Sequence, residues 1–274
     1  MKARVRVGRL ESSVDLAHPV SLAIEVTFTA RDPRHFGAPG ASAQPLVVAG
    51  FSGSVAAGAS CNCSTITLTP HCNGTHTECA GHLTRQPLDA FRIVPVGLVP
   101  ALVVTVTPEP ADATADTSRP PARAHDRLIT HRVLADAWSA AASRSQASPR
   151  ALVMRTRQNA AAHPTSDTPP PYLSYEAALW IVAREIEHLV VDLPSLDRTQ
   201  DQGALTAHRV FFGLPPASHE LERARRAQCT VTELARVPQS LPDGEYLLEL
   251  QVPALAGDAV PSRPLLYPLQ TCSP

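Results

Sequence analysis

One short stretch of the chain concentrates groups that bind metal ions. Pro70 to His82 reads PHCNGTHTECAGH and contains Cys72, His76, Glu78 and His82. Side chains alternate along an extended backbone, so these four share one face and are able to converge on a point. Thiolate, imidazole and carboxylate are the ligand set of Zn²⁺ and related divalent ions. Gly74 lets the backbone turn tightly where they gather. His71, beside Cys72, points to the opposite face if the segment is a strand. The competing reading of the same spacing is a strand and turn whose polar groups hydrogen-bond locally. Cys61 and Cys63 precede the stretch, but C-x-C lacks the spacing of a structural zinc knuckle.

The elements that must position these groups follow from periodicity. Leu22, Ile24, Val26 and Phe28 alternate as in a half-buried strand, and Thr29 to Gln44 is a Gly/Pro/Ala-rich loop. Leu46–Val48, Ser64–Leu68, Phe91–Val94 and Ala101–Val106 read as strands, the last two buried. Pro108 to Ala124 is a poor core former and is expected as a loop insertion near 108–124. Arg132–Ser143 and Tyr175–Glu187 have helical spacing, the second capped by Ser174 with an apolar stripe through Leu179, Trp180 and Ile186. Arg150–Arg155 reads as a strand, and His163–Tyr172 as a Pro-rich loop. Leu189–Val191 follows the second helix directly, which points to an α/β arrangement. Arg209 to Gln228 breaks up the helix expected after His208 and forms a second insertion near 209–228. Thr230–Val237, Tyr246–Val252 and Leu265–Tyr267 complete the strands. No internal repeat is present, and a single domain over 1–274 is expected.

Composition limits the function classes. The 274 residues carry 24 Lys and Arg against 25 Asp and Glu, a formal charge of −1, and the basic residues are not clustered. Neutralising nucleic-acid phosphates needs such clusters, so no nucleic-acid partner is expected. No apolar run reaches the roughly 20 residues of a membrane helix, and the amino terminus lacks the apolar core of a secretory signal. A soluble cytoplasmic protein is expected, with its six cysteines reduced.

At the level of motifs the chain resembles the cyclase family, which includes bacterial kynurenine formamidase and isatin hydrolase. The family signature, His-x-Gly-Thr-His-x-Asp-x-Pro-x-His, is matched by Gly74-Thr75-His76 and by His82. Asp15 to Pro19, DLAHP, is similar to its Asp-Leu-Ser-His-Pro, and VVDLPSLD at Val190 to Asp197 to its Ile-Asp-x-Pro-Ser-x-Asp segment. Cys72, Glu78 and Ala80 stand where the signature has His, Asp and Pro.

The resemblance implies a swivelling β/β/α domain, α/β in class, with mixed β-sheets and flanking helices. It implies Zn²⁺ or Mn²⁺, one or two per chain, with Cys72, His76 and Glu78 on one metal and Glu78 bridging to a second held by His208 and Glu233. Glu220 is the other candidate for the distal carboxylate, and Glu233 has the better context. The implied reaction is hydrolysis of a C–N amide bond in a small molecule, an aryl formamide or cyclic amide. Metal-bound hydroxide would be the nucleophile and His82 the acid/base. A homo-oligomer, dimer or tetramer, is implied as well. Two alternatives keep the same residues: a catalytically silent metal- or ligand-binding relative, and a dehydratase or cyclase using His82.

Overall fold

Apolar runs rich in Val, Leu and Ala become the parallel centre of one large sheet. The computed structural model describes residues 1–8, 10–142, 148–157 and 169–271. In chain order the strands of this sheet are β1 (Lys2–Val7), β2 (Leu10–Asp15), β3 (Val20–Ser21), β4 (His76–Glu78), β5 (Val99–Val106), β6 (Ala151–Thr156), β7 (His188–Val191), β8 (Thr230–Glu233), β9 (Gly244–Gln251), β10 (Ala259–Pro261) and β11 (Arg263–Thr271). They lie in the order β1-β2-β11-β9-β5-β6-β7-β8-β4-β10, with β3 beside β11. Neighbours are parallel from β5 to β8 and antiparallel outside that block.

The helices are α1 (Pro70–Asn73), α2 (Ala90–Ile93), α3 (His131–Ala142), α4 (Tyr175–Ala183) and α5 (Thr206–Phe212). Leu102, Val104 and Val106 of β5 pack with Leu134 of α3, Ile181 of α4 and Phe211 of α5 on one face. Ala101 and Val103 pack with Leu22, Tyr246 and Leu248 on the other. Burial on both faces explains why the central strands read as continuous apolar runs rather than alternating ones. The result is the expected α/β single domain of mixed sheets with flanking helices.

Several segments differ from their sequence pattern. Leu22 to Phe28 is not a strand: its backbone bonds go to Pro264, Arg236 and the Thr75 hydroxyl instead of to a ladder. Phe91 to Val94 falls mostly in α2, where Val94 N–H donates to Ala90 carbonyl and Arg92 folds back onto Asp89. Helix α5 continues through Arg209 to Phe212, so the irregular segment begins only after Gly213, whose φ is +65°. Within 108–124, Glu109–Pro110 pairs with Arg127–Ile129, which in turn pairs with Tyr172–Leu173. Helix α4 starts where Ser174 accepts from Ala177 N–H at 3.0 Å, and ends at Ala183 rather than Glu187. Ser143 and most of the loop His163–Tyr172 lie outside the described residues. No helix among the described residues is long and apolar enough to cross a membrane.

The sheet contains a histidine with a clear pH signature. His188, at the start of β7, is buried with Nδ1 2.9 Å from Thr230 Oγ1, and burial pushes its pKa down to about 4. The unfolded chain takes up this proton near pH 6.5 and the folded chain does not, so the stability present above pH 6.5 is lost as pH falls toward 4. The loss at this one site is about 3 kcal/mol. Urea unfolding of wild type and His188→Gln at pH 7.5 and 4.5 isolates it. A wild-type loss between these pH values no larger than that of the variant rules it out.

Candidate metal centre

Register brings two of the motif residues to a third. Strand β4 pairs antiparallel with β8, so that His76 lies opposite Glu233, Thr77 opposite Thr232 and Glu78 opposite Val231. His76 and Glu78, two apart, therefore face the same side as Glu233. Thr77 faces the other side and meets the Thr232 hydroxyl at 2.8 Å. Glu233 is the last residue of β8, which runs parallel to β7, so it sits at the carboxyl edge where open α/β sheets bind ligands. His208 arrives from α5, whose amino terminus is held by Asp197: Oδ1 accepts from Ala207 N–H at 2.7 Å and Oδ2 from His208 N–H at 3.1 Å.

The start of the motif has a different local structure from the sequence expectation. Residues 70–73 form a turn of helix rather than a strand, begun by Pro70 at its first position. The two-residue alternation then fails, and His71 turns inward. Its Nδ1 is 3.1 Å from Glu78 Oε2 and its Nε2 is 2.9 Å from Asp258 Oδ2. Cys72 is buried but belongs to none of the three ligand clusters found among the described residues: His71/His76/Glu78, His71/His82/Asp258 and Glu78/His208/Glu233. Burial pushes its thiol pKa up; burial does the same to the Cys79 thiol, to about 12. Gly74 is extended rather than tightly turned; what requires glycine there is Val26 Cγ2, 2.9 Å from where a Cβ would stand. Thr75 ties the motif into the fold by donating to Leu234 carbonyl at 2.6 Å and accepting from Ile24 N–H at 2.8 Å.

The centre has the donor chemistry of a metal site. Glu78 is fully buried, with Oε1 2.9 Å from His208 Nε2 and Oε2 3.1 Å from His71 Nδ1. Glu233 Oε1 accepts from Leu196 N–H at 2.8 Å and lies 3.2 Å from His208 Nε2; its Oε2 is 3.5 Å from His76 Nε2. His76 Nε2, His208 Nε2 and both Glu78 oxygens are buried without an aligned hydrogen-bond partner. Convergent buried donors left unpaired in this way are costly unless a cation completes them. The outward-facing nitrogens, by contrast, are occupied: His76 Nδ1 by Gly74 carbonyl at 3.1 Å, His208 Nδ1 by Asp197 at 2.7 Å and His71 Nε2 by Asp258. Such partners fix the tautomer and ring orientation of metal-binding histidines.

The field of the site attracts positive charge. Burial opposes a charge on His71 and His208, yet the carboxylates beside them raise both, His71 to about 10. The imidazoles in turn hold Glu78 well below the ordinary carboxylate range against the desolvation of complete burial. Two buried carboxylates ringed by imidazoles present the same attraction to a divalent cation. Asp197→Asn, which weakens the acceptor behind His208, is expected to lower Zn²⁺ affinity by about 10–100-fold. Competition with a chelating dye measures it, and an unchanged affinity would refute the outer role of Asp197.

His82 is the outermost of the expected residues. It lies on a short 3₁₀ turn, Ala80–Leu83, and its side chain is 26% exposed. Its ring centroid is 4.3 Å from that of His71 and 5.8 Å from that of His208. Glu220, the alternative distal carboxylate, is instead at the surface, paired with Arg85 and Gln86. Cys61 and Cys63 are exposed free thiols. The sequence reading missed His71, Asp197 and Asp258 as partners in the site. It also missed His35, whose Nε2 is buried without a partner and which feels the charges of His76 and Glu233. The loop bearing His35 is pinned over α1 by its own N–H to Cys72 carbonyl at 3.2 Å and by the Asn73 amide to Pro39 carbonyl at 3.0 Å.

Comparison with known proteins places this geometry in context. Residues 14–198 match the Cyclase family model, described as "Putative cyclase". Among solved structures the fold is similar to isatin hydrolase A from Labrenzia aggregata bound to benzyl benzoate, with TM-score 0.59 and 15% identity over 91% of this chain and 93% of that one. It is similar to isatin hydrolase A from Ralstonia solanacearum, with TM-score 0.55 and 13% identity over 91% of each chain. A protein described as a predicted metal-dependent hydrolase from Bacillus stearothermophilus gives TM-score 0.56 and 14% identity over 91% and 98%. No curated protein is similar to it in sequence.

Proposed function

Since the chain belongs to the cyclase family, we propose that it is a metal-dependent hydrolase that cleaves the C–N bond of an amide, an aryl formamide or a cyclic amide. The observation that carries this reading is the convergence of His76 Nε2, His208 Nε2 and both Glu78 oxygens, buried and without aligned partners. The donor set fits Zn²⁺ or Mn²⁺, one or two per chain. His71, His76 and Glu78 would hold one ion, and Glu78, His208 and Glu233 the other. A bound divalent ion supplies a Lewis acid and a water of near-neutral pKa.

The residues of the chain divide the remaining work. His82, partly exposed beside the cluster, accepts a proton from the attacking water and delivers it to the departing nitrogen as the C–N bond breaks. Asp197 and Gly74 carbonyl keep the inner nitrogens of His208 and His76 aimed at the centre. The loop carrying His35 is held beside the cluster by the His35 N–H to Cys72 carbonyl, and the exposed Phe36 ring next to it offers a surface for an aromatic substrate. His71 in place of Cys72 supports an active enzyme over a silent relative. Exposed Val47, Val48, Val55 and Ile66 on the hairpins between residues 42 and 67 support a homo-oligomer, dimer or tetramer, which light scattering tests.

The deciding experiment loads the protein with Zn²⁺ or Mn²⁺ and follows formanilide and isatin. Metal-dependent release of aniline or of the ring-opened acid is expected, and His82→Ala is expected to lower kcat by about 100-fold or more with metal content intact. A protein that takes up metal yet hydrolyses neither compound sinks the amidase reading and favours the dehydratase or cyclase alternative.

A further inference from the structure

Asp258 lies at the head of β10, outside the stretch matched by the family model, and touches two histidines of the centre at once. Its Oδ2 is 2.9 Å from His71 Nε2 and 3.2 Å from His82 Nδ1. Its backbone is fixed on the ligand strand: Asp258 carbonyl accepts from Cys79 N–H at 3.0 Å, and the next residue, Ala259, pairs with Glu78. The turn that carries His82 is built to reach it. At Gly81 a Cβ would stand 3.2 Å from Asp258 Cβ and 2.6 Å from Leu88 carbonyl, so a side chain there would push the His82 turn away from β10.

We propose that Asp258 is a positioning residue that fixes His71 and His82 through one carboxylate oxygen, committing Nδ1 of His71 to the metal centre and Nε2 of His82 to the substrate. The inference rests on the proposed function for what His82 then does, whereas the tautomers are read on the Zn²⁺-loaded protein without any turnover. A neutral imidazole in water favours hydrogen on Nε2. Asp258 imposes the reverse on His82, because only an Nδ1–H can donate to its carboxylate. On His71 it holds Nε2–H, so that a cation bound beside Glu78 would take the Nδ1 lone pair. A single oxygen thus couples the geometry of one metal ligand to that of the proton carrier, and removing it loosens both. Carboxylates behind metal-binding histidines act in this way on one ring; here the same carboxylate serves two.

The test uses ¹⁵N-histidine-labelled full-length protein loaded with Zn²⁺, with ring tautomers read from two-bond ¹H–¹⁵N correlations. Wild type is expected to show His82 as the Nδ1–H tautomer, and Asp258→Ala to return it to mainly Nε2–H. Zn²⁺ affinity is expected to fall about 10-fold in the same variant, whereas His82→Ala leaves it unchanged. Asp258→Asn retains an acceptor oxygen and is expected to keep the Nδ1–H tautomer in part, so a merely structural disturbance is separated from loss of the bond. On formanilide, kcat is expected to fall with KM little altered. A His82 tautomer identical in wild type and Asp258→Ala overturns the proposal. Loss of a third equivalent of Zn²⁺ in Asp258→Ala does so as well, since the trio would then be a metal site of its own. Absence of formanilide turnover with the tautomer switch intact overturns only the functional reading.

Discussion

Glu78→Gln is expected to abolish stable binding of both metal equivalents. Glu78 is the one residue common to the two inner ligand clusters, with Oε2 toward His71 and Oε1 toward His208. Glutamine keeps the shape but removes the charge and replaces one acceptor oxygen by a donor that faces an imidazole. Losing a partner behind a ligand costs about 10–100-fold in metal affinity, and losing the shared ligand itself must exceed that range at each ion. The fold should persist, because the parallel sheet and its two apolar cores do not depend on this side chain. Elemental analysis after dialysis, paired with circular dichroism, gives the answer. A folded Glu78→Gln protein that retains two equivalents of Zn²⁺ would show that the carboxylate is not the bridge.

A second large effect separates two adjacent residues. His71→Ala is expected to remove one metal equivalent and to lower turnover by about 100-fold or more, whereas Cys72→Ala leaves metal content unchanged and costs only about 1 kcal/mol of stability. The contrast follows from the helical turn at 70–73, which aims His71 Nδ1 at Glu78 and leaves the Cys72 thiol buried outside the clusters. Metal analysis of the two variants and of the double variant decides it. Retention of both equivalents in His71→Ala together with loss in Cys72→Ala would restore the thiolate as ligand. Thiol titration gives an independent reading: a thiolate bound to metal stays unreactive until the ion is chelated.

How much of this was legible in the sequence depended on whether spacing and local conformation agreed. His76 and Glu78 were readable because they do lie on a strand, where two-residue alternation holds. His82 was read from the same alternation although it stands on a 3₁₀ turn, and His208 and Glu233 were reached through the motif resemblance; each stands in or beside the cluster. His71 was misread because alternation was extended through Pro70, whose ring favours a helix start and changes the period. Asp258 gave no local signal at all: it is 187 residues from His71 in sequence, and only the pairing of β10 with β4 brings them together. Asp197 was visible in VVDLPSLD, but its task behind His208 depends on how α5 docks. In the fold, the strands at Ala101–Val106 and Arg150–Arg155 were plain from apolar content. Leu22–Phe28 alternates like a strand without finding a ladder, because Thr75, Pro264 and Arg236 take its backbone bonds.

The Thr75 hydroxyl has a consequence for the order in which the molecule assembles. It joins Ile24, 51 residues earlier, to Leu234, 159 residues later. The ligand set is likewise gathered from residues 71 to 233. Contacts of such separation impose their loop-closure entropy before they return any stabilisation, so they form slowly, as do the pairings of Ala101 with Tyr246 and of Val14 with Leu269 in the sheet. The candidate metal centre is therefore complete only once these distant segments have met on the sheet. A metal ion that binds only the completed centre should slow unfolding much more than it speeds refolding.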